Sequence, residues 1–442
     1  MRSHAIPSLG APMRRPAFRR LAASYAVNEL GDWMGIVALS VLVFDRTGSA
    51  LATMGLFLGT RFVPALLGPI LVVRAERGPP RFVLPILYCG EAACFGGLAF
   101  LATHFSLSGV IALATLDGAL ALTGRSVTRA VVAALLEPAG ELRAGNATLN
   151  IAFTGGAALG PAIAGLVVAA LGTQVALLLD AGSFCAIAFI LITAGRLPQA
   201  EPDPGRLRER LRAGFRYIAE RRALRRILVA QAAAFIFFAA VLPIEVIYAK
   251  ETLGSGDSGY GLLLASWGAG MVLGSLIFAA LRERSLGYLL AASTVSVGIG
   301  YLGLAAAPTL GLACAASVVG GAGNGVQWVT AVSGVQELTA QAMQARVMSV
   351  LESVGAAMPG VGFLVGGLVA TSHDPRAVFA VAGIGVLAVV VLAAPLLRSS
   401  WTGPPTEQDT FRLDEPGQVM VELRSRGKSS APASELTRRS TT

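Results

Sequence analysis

Apolar runs of bilayer-spanning length follow one another along nearly the whole chain, separated by short polar breaks. They lie near residues 21–44, 50–73, 82–103, 107–127, 147–170 and 173–195, and again near 226–248, 259–281, 286–307, 309–333, 347–370 and 376–397. A helix rising about 1.5 Å per residue needs roughly 20 apolar residues to cross the hydrocarbon core. The pattern therefore predicts an all-α membrane protein with twelve transmembrane helices in two pseudo-symmetric bundles of six. The expected division is a cytoplasmic segment over 1–20, a first bundle over 21–196, a cytoplasmic linker over 197–225, a second bundle over 226–397 and a tail over 398–442. The tail is rich in Pro, Ser, Thr and charge, a composition expected to stay disordered.

Composition agrees with a bilayer as solvent. Of 442 residues, 54% are hydrophobic and 14% charged, against about 25% charged in a soluble domain. Mean hydropathy is +0.67. The net charge of +9 is placed where it orients the chain. Arginine crowds the stretch 196–226 (Arg196, Arg206, Arg208, Arg210, Arg212, Arg216, Arg221, Arg222, Arg225 and Arg226), whereas the opposite set of loops holds only Arg46, Lys250 and Arg376. Positive loops stay inside, so both termini are expected in the cytoplasm and the protein in the inner (plasma) membrane. The basic N-terminus lacks a cleavable leader pattern, and the first apolar run reads as a retained span. Within the linker, Leu207, Leu211, Phe215 and Ile218 share one face of an amphipathic helix, expected to lie at the inner membrane surface.

The two halves echo each other. RAER (74–77) matches LRER (281–284), and LRAGN (142–146) matches ARVMS (345–349), in corresponding loops. Repeated bundles with a central site between them are a transporter architecture. The four cysteines, Cys89, Cys94, Cys185 and Cys314, lie in apolar runs without a metal-binding spacing, so neither a disulfide framework nor a metal site is expected.

The run NELGDWMGIVALSVLVFDRTGSA (28–50) resembles the first span and loop of the major facilitator superfamily, most of all its enterobactin-exporter and macrolide or drug efflux branch. Similar stretches are NATLNIAFTGGAALGPAIAGL (146–166), ALLLDAGSF (176–184), LPIEVIYAKETLGSGDSGYGLLLASWGAG (242–270) and ARVMSVLESVGAAMPGVGFLVGG (345–367). The resemblance implies the major facilitator fold and three motifs. The family's Gly-x-x-x-Asp-Arg loop between spans two and three, an inner gate latch, falls on Val72, Glu76 and Arg77, with Arg81 downstream; here the glycine is lost and Glu replaces Asp. The Gly-x-x-x-Gly-Pro motif of proton-exchanging exporters falls on Gly156, Gly160 and Pro161, with Gly165 one turn on. Glycines at this spacing also pack helices closely whatever the function. A motif arginine of span four falls on Arg125 or Arg129.

Ionisable residues inside spans are expensive and mark pathways or relays. Glu29 and Asp32 share a face of span one, and Asp32 lies roughly 16 Å in, near the midplane. Arg61, Glu91 and Asp117 lie at similar depth, Asp180 in the outer half of span six, Glu245 near the outer end of span seven and Glu352 near the inner end of span eleven. A carboxylate in a low-dielectric site titrates nearer neutral pH, and a neighbouring guanidinium reverses that. The expected proton site is Asp32 with Glu29, with Arg61 or Arg125 as a switchable counter-charge and Asp117 as an auxiliary. The alternative is a permanent ion pair pinning spans one, two and four.

Asn28, Trp33, Asn324, Gln327 and Trp328 are the expected substrate wall. No GxxxxGK[ST] phosphate loop occurs, so the driving force expected is the proton gradient, with no cofactor. The histidines, His4, His104 and His373, sit at a terminus and in outer loops, and HExxH is absent, so no enzyme is expected. The function predicted is proton-coupled export (antiport) of a small amphipathic molecule such as a drug, siderophore or secondary metabolite, by alternating access. Uptake of a small solute with protons and a non-transporting membrane sensor are the alternatives. The partners expected are the lipid bilayer, protons and the substrate, without nucleic acid, and the chain is expected to be a monomer.

Overall fold

The computed structural model describes residues 11–398 apart from 76, 194, 196, 199–206, 282–283, 341–342 and 372. Among the described residues there is no strand. The first half holds α1 (Pro16–Thr47), α2 (Ala50–Phe57) running through a π-turn at Leu58–Phe62 into α3 (Val63–Ala75), α4 (Pro80–Thr103), α5 (Leu107–Leu136) and α6 (Leu142–Ile192). The linker helix is α7 (Leu207–Glu220). The second half holds α8 (Arg222–Val241), a short α9 (Glu245–Ile247) with a π-turn at Tyr248–Thr252, α10 (Gly256–Ala280), α11 (Leu286–Ala306), α12 (Leu310–Glu337), α13 (Gln344–Ala370) and α14 (Pro375–Arg398).

Ten described helices are long and apolar enough to cross a membrane. One of them, Ala144–Ile192, is 49 residues long, or about 73 Å, which is two crossings. Its break is Gly172, whose φ of 82° is open to glycine and strained for other residues. Leu310–Glu337 is long enough but diluted by Gly, Asn and Gln; counted with the others it completes twelve bundle helices. Span five is thus the first part of α6 and span six the second.

Local sequence sets the helix ends. Ser49, Ser106, Ser285 and Thr309 each cap a span by accepting a hydrogen bond from the backbone N–H three residues on. Pro243 has no N–H to continue span seven, which breaks there and restarts at Glu245.

Within the first bundle α1 packs on α6, α4 on α5 and α6, and α3 on α5; within the second α12 packs on α10 and α11, and α14 on α8 and α11. Between bundles, span five packs on span eight and span two on span eleven. These interfaces exchange when each span is replaced by its counterpart six further along, as a two-fold between repeats requires. They approach closely at small residues. A methyl group on Gly165 would lie 2.8 Å from the Gly261 Cα and 2.9 Å from the Asp257 carbonyl, and Gly268 abuts the backbone of Ala157. Phe57 and Phe363 meet at 5.5 Å between centroids, and Gly367 seats Met54. At the same end Lys250 bonds Asp45 of the other bundle and Asp257, the latter at 2.6 Å. These contacts close the end of the molecule opposite the linker, here the far end.

The linker helix is docked more deeply than its amphipathic pattern predicts. Tyr217 and Ile218 are buried against Leu224, Val347 and Val350, the Tyr217 hydroxyl accepts from the Ala340 N–H at 3.0 Å, and Gly214 rides on the Arg346 carbonyl. Phe215, which the sequence places on the same apolar face as Ile218, is 52% exposed. The turn that buries Tyr217 rotates Phe215 outward.

Candidate functional site

A cavity of about 880 Å³ lies between the bundles, within the range of small-molecule sites. Spans one, four and five supply Tyr25, Trp33, Arg129, Asn146, Asn150 and Phe153; spans seven, eight and ten supply Gln231, Phe235, Phe238, Glu245, Trp267, Asn324, Gln327 and Trp328. The contacts that seal the far end lie beyond it.

Four of the five residues expected as substrate wall line this cavity. Trp33 is backed by Gly160, where any side chain would strike its ring. Trp328 is 44% exposed and packs against Phe235 at 6.2 Å between centroids. Asn324 is half-buried. Gln327 is buried and donates to the Thr294 hydroxyl at 3.1 Å, which orients its amide. Asn28 stands back from the cavity: it is buried, and its amide donates to Asp32 Oδ2 at 3.3 Å.

Behind the wall, the first bundle gathers the charges. Arg125 Nη1 donates to Asp32 Oδ2 at 2.7 Å, so of the two arginines compatible with the span-four motif, Arg125 meets Asp32. Arg129 lines the cavity, and the Tyr25 hydroxyl is in electrostatic range of both Arg129 and Glu29. Glu29 is 2% exposed, one carboxylate oxygen has no partner, and its Cβ rests on Gly156. Arg61, on the π-turn of span two, is in electrostatic range of Asp32, Glu29, Asp117 and Arg125. Asp117 has an unpartnered oxygen, and both oxygens of Glu91 are unpartnered. Asp180 is fully buried against Gly31 and Gly35 of α1, with one oxygen on the Ser183 hydroxyl and the other unpartnered.

The glycine motif belongs to this arrangement. Gly156 and Gly160 let span five lie directly on Glu29 and Trp33 of span one, and Gly165 meets span eight. Pro161 lies inside the helix, and its carbonyl faces Gly261. Of the loop motif, Glu76 lies outside the described residues; Arg77 is exposed, and Arg81 is exposed with its guanidinium 4.5 Å from the Phe82 ring centre. The side chain of Glu352 also lies outside them.

A family model described as transmembrane secretion effector matches residues 8–408. The chain belongs to this family of the major facilitator superfamily. It is a multi-pass membrane transporter. Solved structures agree with this major facilitator fold: the nucleoside transporter NupG at 12% identity and TM-score 0.70, over 87% of this chain and 99% of that one; a bacterial homologue of the human lysosomal transporter Spinster, inward-facing and unoccupied, at 13% and 0.67, over 90% and 99%; and a POT family transporter at 12% and 0.69, over 86% and 96%. No curated protein sequence matches the chain significantly.

Two features of this facilitator escaped the sequence reading. Glu245, placed near the outer end of span seven, also borders the cavity, just past the break at Pro243. Tyr25, an apparently ordinary aromatic, lies in electrostatic range of both Arg129 and Glu29. Pro243 was a legible signal for the first; nothing in the sequence pattern marked the second.

Proposed function

We propose that this transporter exports a small amphipathic molecule in exchange for protons, by alternating access at the central cavity. The observation that carries the reading is the Asp32–Arg125 pair at 2.7 Å, set behind the cavity wall among carboxylates that lack partners. Protonating Asp32 removes the attraction for Arg125, and in a medium of low dielectric that change is large enough to bias one packing of the spans over another. The Tyr25 hydroxyl lies in electrostatic range of both Glu29 in the charge cluster and Arg129 on the cavity surface, so occupation of the cavity and occupation of the proton site act on one field.

The outward direction is supported by the description of the matched family, transmembrane secretion effector. The linker end is taken as cytoplasmic on the arginine distribution, which makes the conformation open to the cytoplasm and sealed outside by Lys250 and the span five–eight contact. The chamber is walled mainly by aromatic, aliphatic and amide groups, which suits an amphipathic cargo.

The test is transport in inside-out vesicles with fluorescent amphiphiles of positive, neutral and negative charge. Acidifying the lumen is expected to drive accumulation, and Asp32→Asn is expected to abolish that drive. Efflux from the lumen on acidification marks a symporter and sinks the export reading. Normal coupling in folded Asp32→Asn removes Asp32 from the mechanism.

A further inference from the structure

At the far end of the cavity, the second bundle holds a carboxylate that the proton cluster does not use. Glu245 is 8% exposed, borders the cavity, and has one oxygen without a hydrogen-bond partner. It forms no salt bridge among the described residues. Arg129, the other charged residue on the cavity surface, belongs to the first bundle and engages Tyr25.

The surroundings of Glu245 are aromatic. Tyr301 is in electrostatic range of it, Trp267 stacks on Tyr301 at 5.2 Å with 17° between planes, and Phe238 leans on Trp267 at 6.0 Å. Trp267 and Phe238 line the cavity with Glu245. The Trp267 ring is seated on Gly320, where any side chain would collide with it. The Trp267 N–H and the Tyr301 hydroxyl are also buried without partners. A buried polar group without a partner is unusual in a protein interior and calls for an account.

A carboxylate and aromatic rings lining one cavity are complementary to one ligand class. A cation gains from the carboxylate by charge and from the ring faces through their quadrupoles, and both gains increase when water is excluded. An anion is repelled by Glu245, and a neutral ligand gains only by packing.

We propose that this end of the cavity is a subsite for an organic cation, with Glu245 as counter-anion and Trp267 and Phe238 as its walls. The cargo then carries an amine or quaternary ammonium group on an apolar body. The inference rests on the reading of the cavity as the transport path and adds the charge of what travels through it.

The test is equilibrium binding to purified full-length protein in nanodiscs, without any gradient. The probe is tetraphenylphosphonium, whose charge does not vary with pH, compared with neutral triphenylphosphine oxide. The unaltered protein is expected to prefer the cation by about tenfold or more. Glu245→Gln is expected to erase that preference by weakening binding of the cation, and Trp267→Leu to weaken cation binding severalfold. Equal binding of the two probes to the unaltered protein overturns the subsite without any variant, as does an undiminished preference in folded Glu245→Gln. Glu245-dependent binding without proton-driven movement overturns the export reading alone. Proton-driven export of neutral or anionic amphiphiles with no cation preference overturns the subsite alone.

Discussion

Arg125 reaches from span four to Asp32 of span one, with Nη1 2.7 Å from Oδ2 and side chains 24% and 14% exposed. The same oxygen accepts the Asn28 amide at 3.3 Å. Two spans of one bundle are therefore joined by a charge pair largely withdrawn from water, and removing one member leaves the other with little solvent to replace it.

Asp32→Asn is accordingly expected to destabilise the protein by about 1–3 kcal/mol, below the value for a fully buried pair because both side chains retain some solvent. The double variant Asp32→Asn with Arg125→Gln is expected to recover part of the loss, because no uncompensated guanidinium remains. Thermal unfolding in detergent across the four proteins measures the coupling. Downhill exchange of substrate is expected to persist in Asp32→Asn while proton-driven accumulation is lost. Equal loss of both processes assigns the pair a structural role alone.

Tyr25 supplies the next test. Its hydroxyl is in electrostatic range of both Glu29 and Arg129, and its ring is buried. Tyr25→Phe keeps the ring and deletes only the hydroxyl between the two charges, so a stability loss of no more than about 1 kcal/mol is expected. The link between cavity and carboxylate cluster is expected to weaken more than the fold does. The readout is the number of protons moved per substrate in proteoliposomes, with expected slippage toward uncoupled flux. An unaltered stoichiometry removes Tyr25 from the path.

The spans themselves were legible because twenty apolar residues in a row leave few other solutions in a lipid solvent. The charge pair was legible for a related reason: an ionisable residue near the midplane needs a partner, and few were available to Asp32. What the sequence left open depended on rotation and on breaks. Asn28 lies one turn from Asp32, so it turns to that carboxylate and away from the cavity. Phe215 and Ile218 share a helical stripe, yet docking of Tyr217 on span eleven buries one and exposes the other. Glu245 was placed by counting along an unbroken helix, and Pro243 breaks that helix just before it.

Lys250 stands between the bundles at the far end, bonded to Asp45 of the first and Asp257 of the second. The bond to Asp45 lies nearer the surface and that to Asp257 is part-buried; a near-surface pair such as the first contributes about 0.2–1 kcal/mol and weakens with salt. Of the two, only the bond to Asp45 joins the bundles, and its loss shifts a two-state opening by up to about fivefold. Lys250→Met is expected to favour opening of that end. A cysteine at Ser40, fully buried in α1 and beside Tyr260 of α10, reports this in a background lacking the native cysteines. Labelling by a membrane-impermeant maleimide is expected to accelerate severalfold in Lys250→Met and with added salt in the parent. Unchanged labelling in both removes the ion pairs from the seal.

Gly165 gives the most direct handle on the conformational equilibrium. An alanine methyl there would press on the Gly261 Cα at 2.8 Å and the Asp257 carbonyl at 2.9 Å, backbone atoms that cannot rotate away. Overpacking of this kind costs about 1–3 kcal/mol in the state that contains the contact. Gly155, ten residues earlier on the same span, has open space where its Cβ would be and serves as the control. Because spans five and eight must separate when the far end opens, Gly165→Ala penalises the sealed conformation and spares the opposite one. Labelling at the Ser40 cysteine is therefore expected to rise in Gly165→Ala and to stay unchanged in Gly155→Ala. If Gly165→Ala lowers the melting temperature with no gain in labelling, the contact belongs to both conformations and spans five and eight do not part during transport.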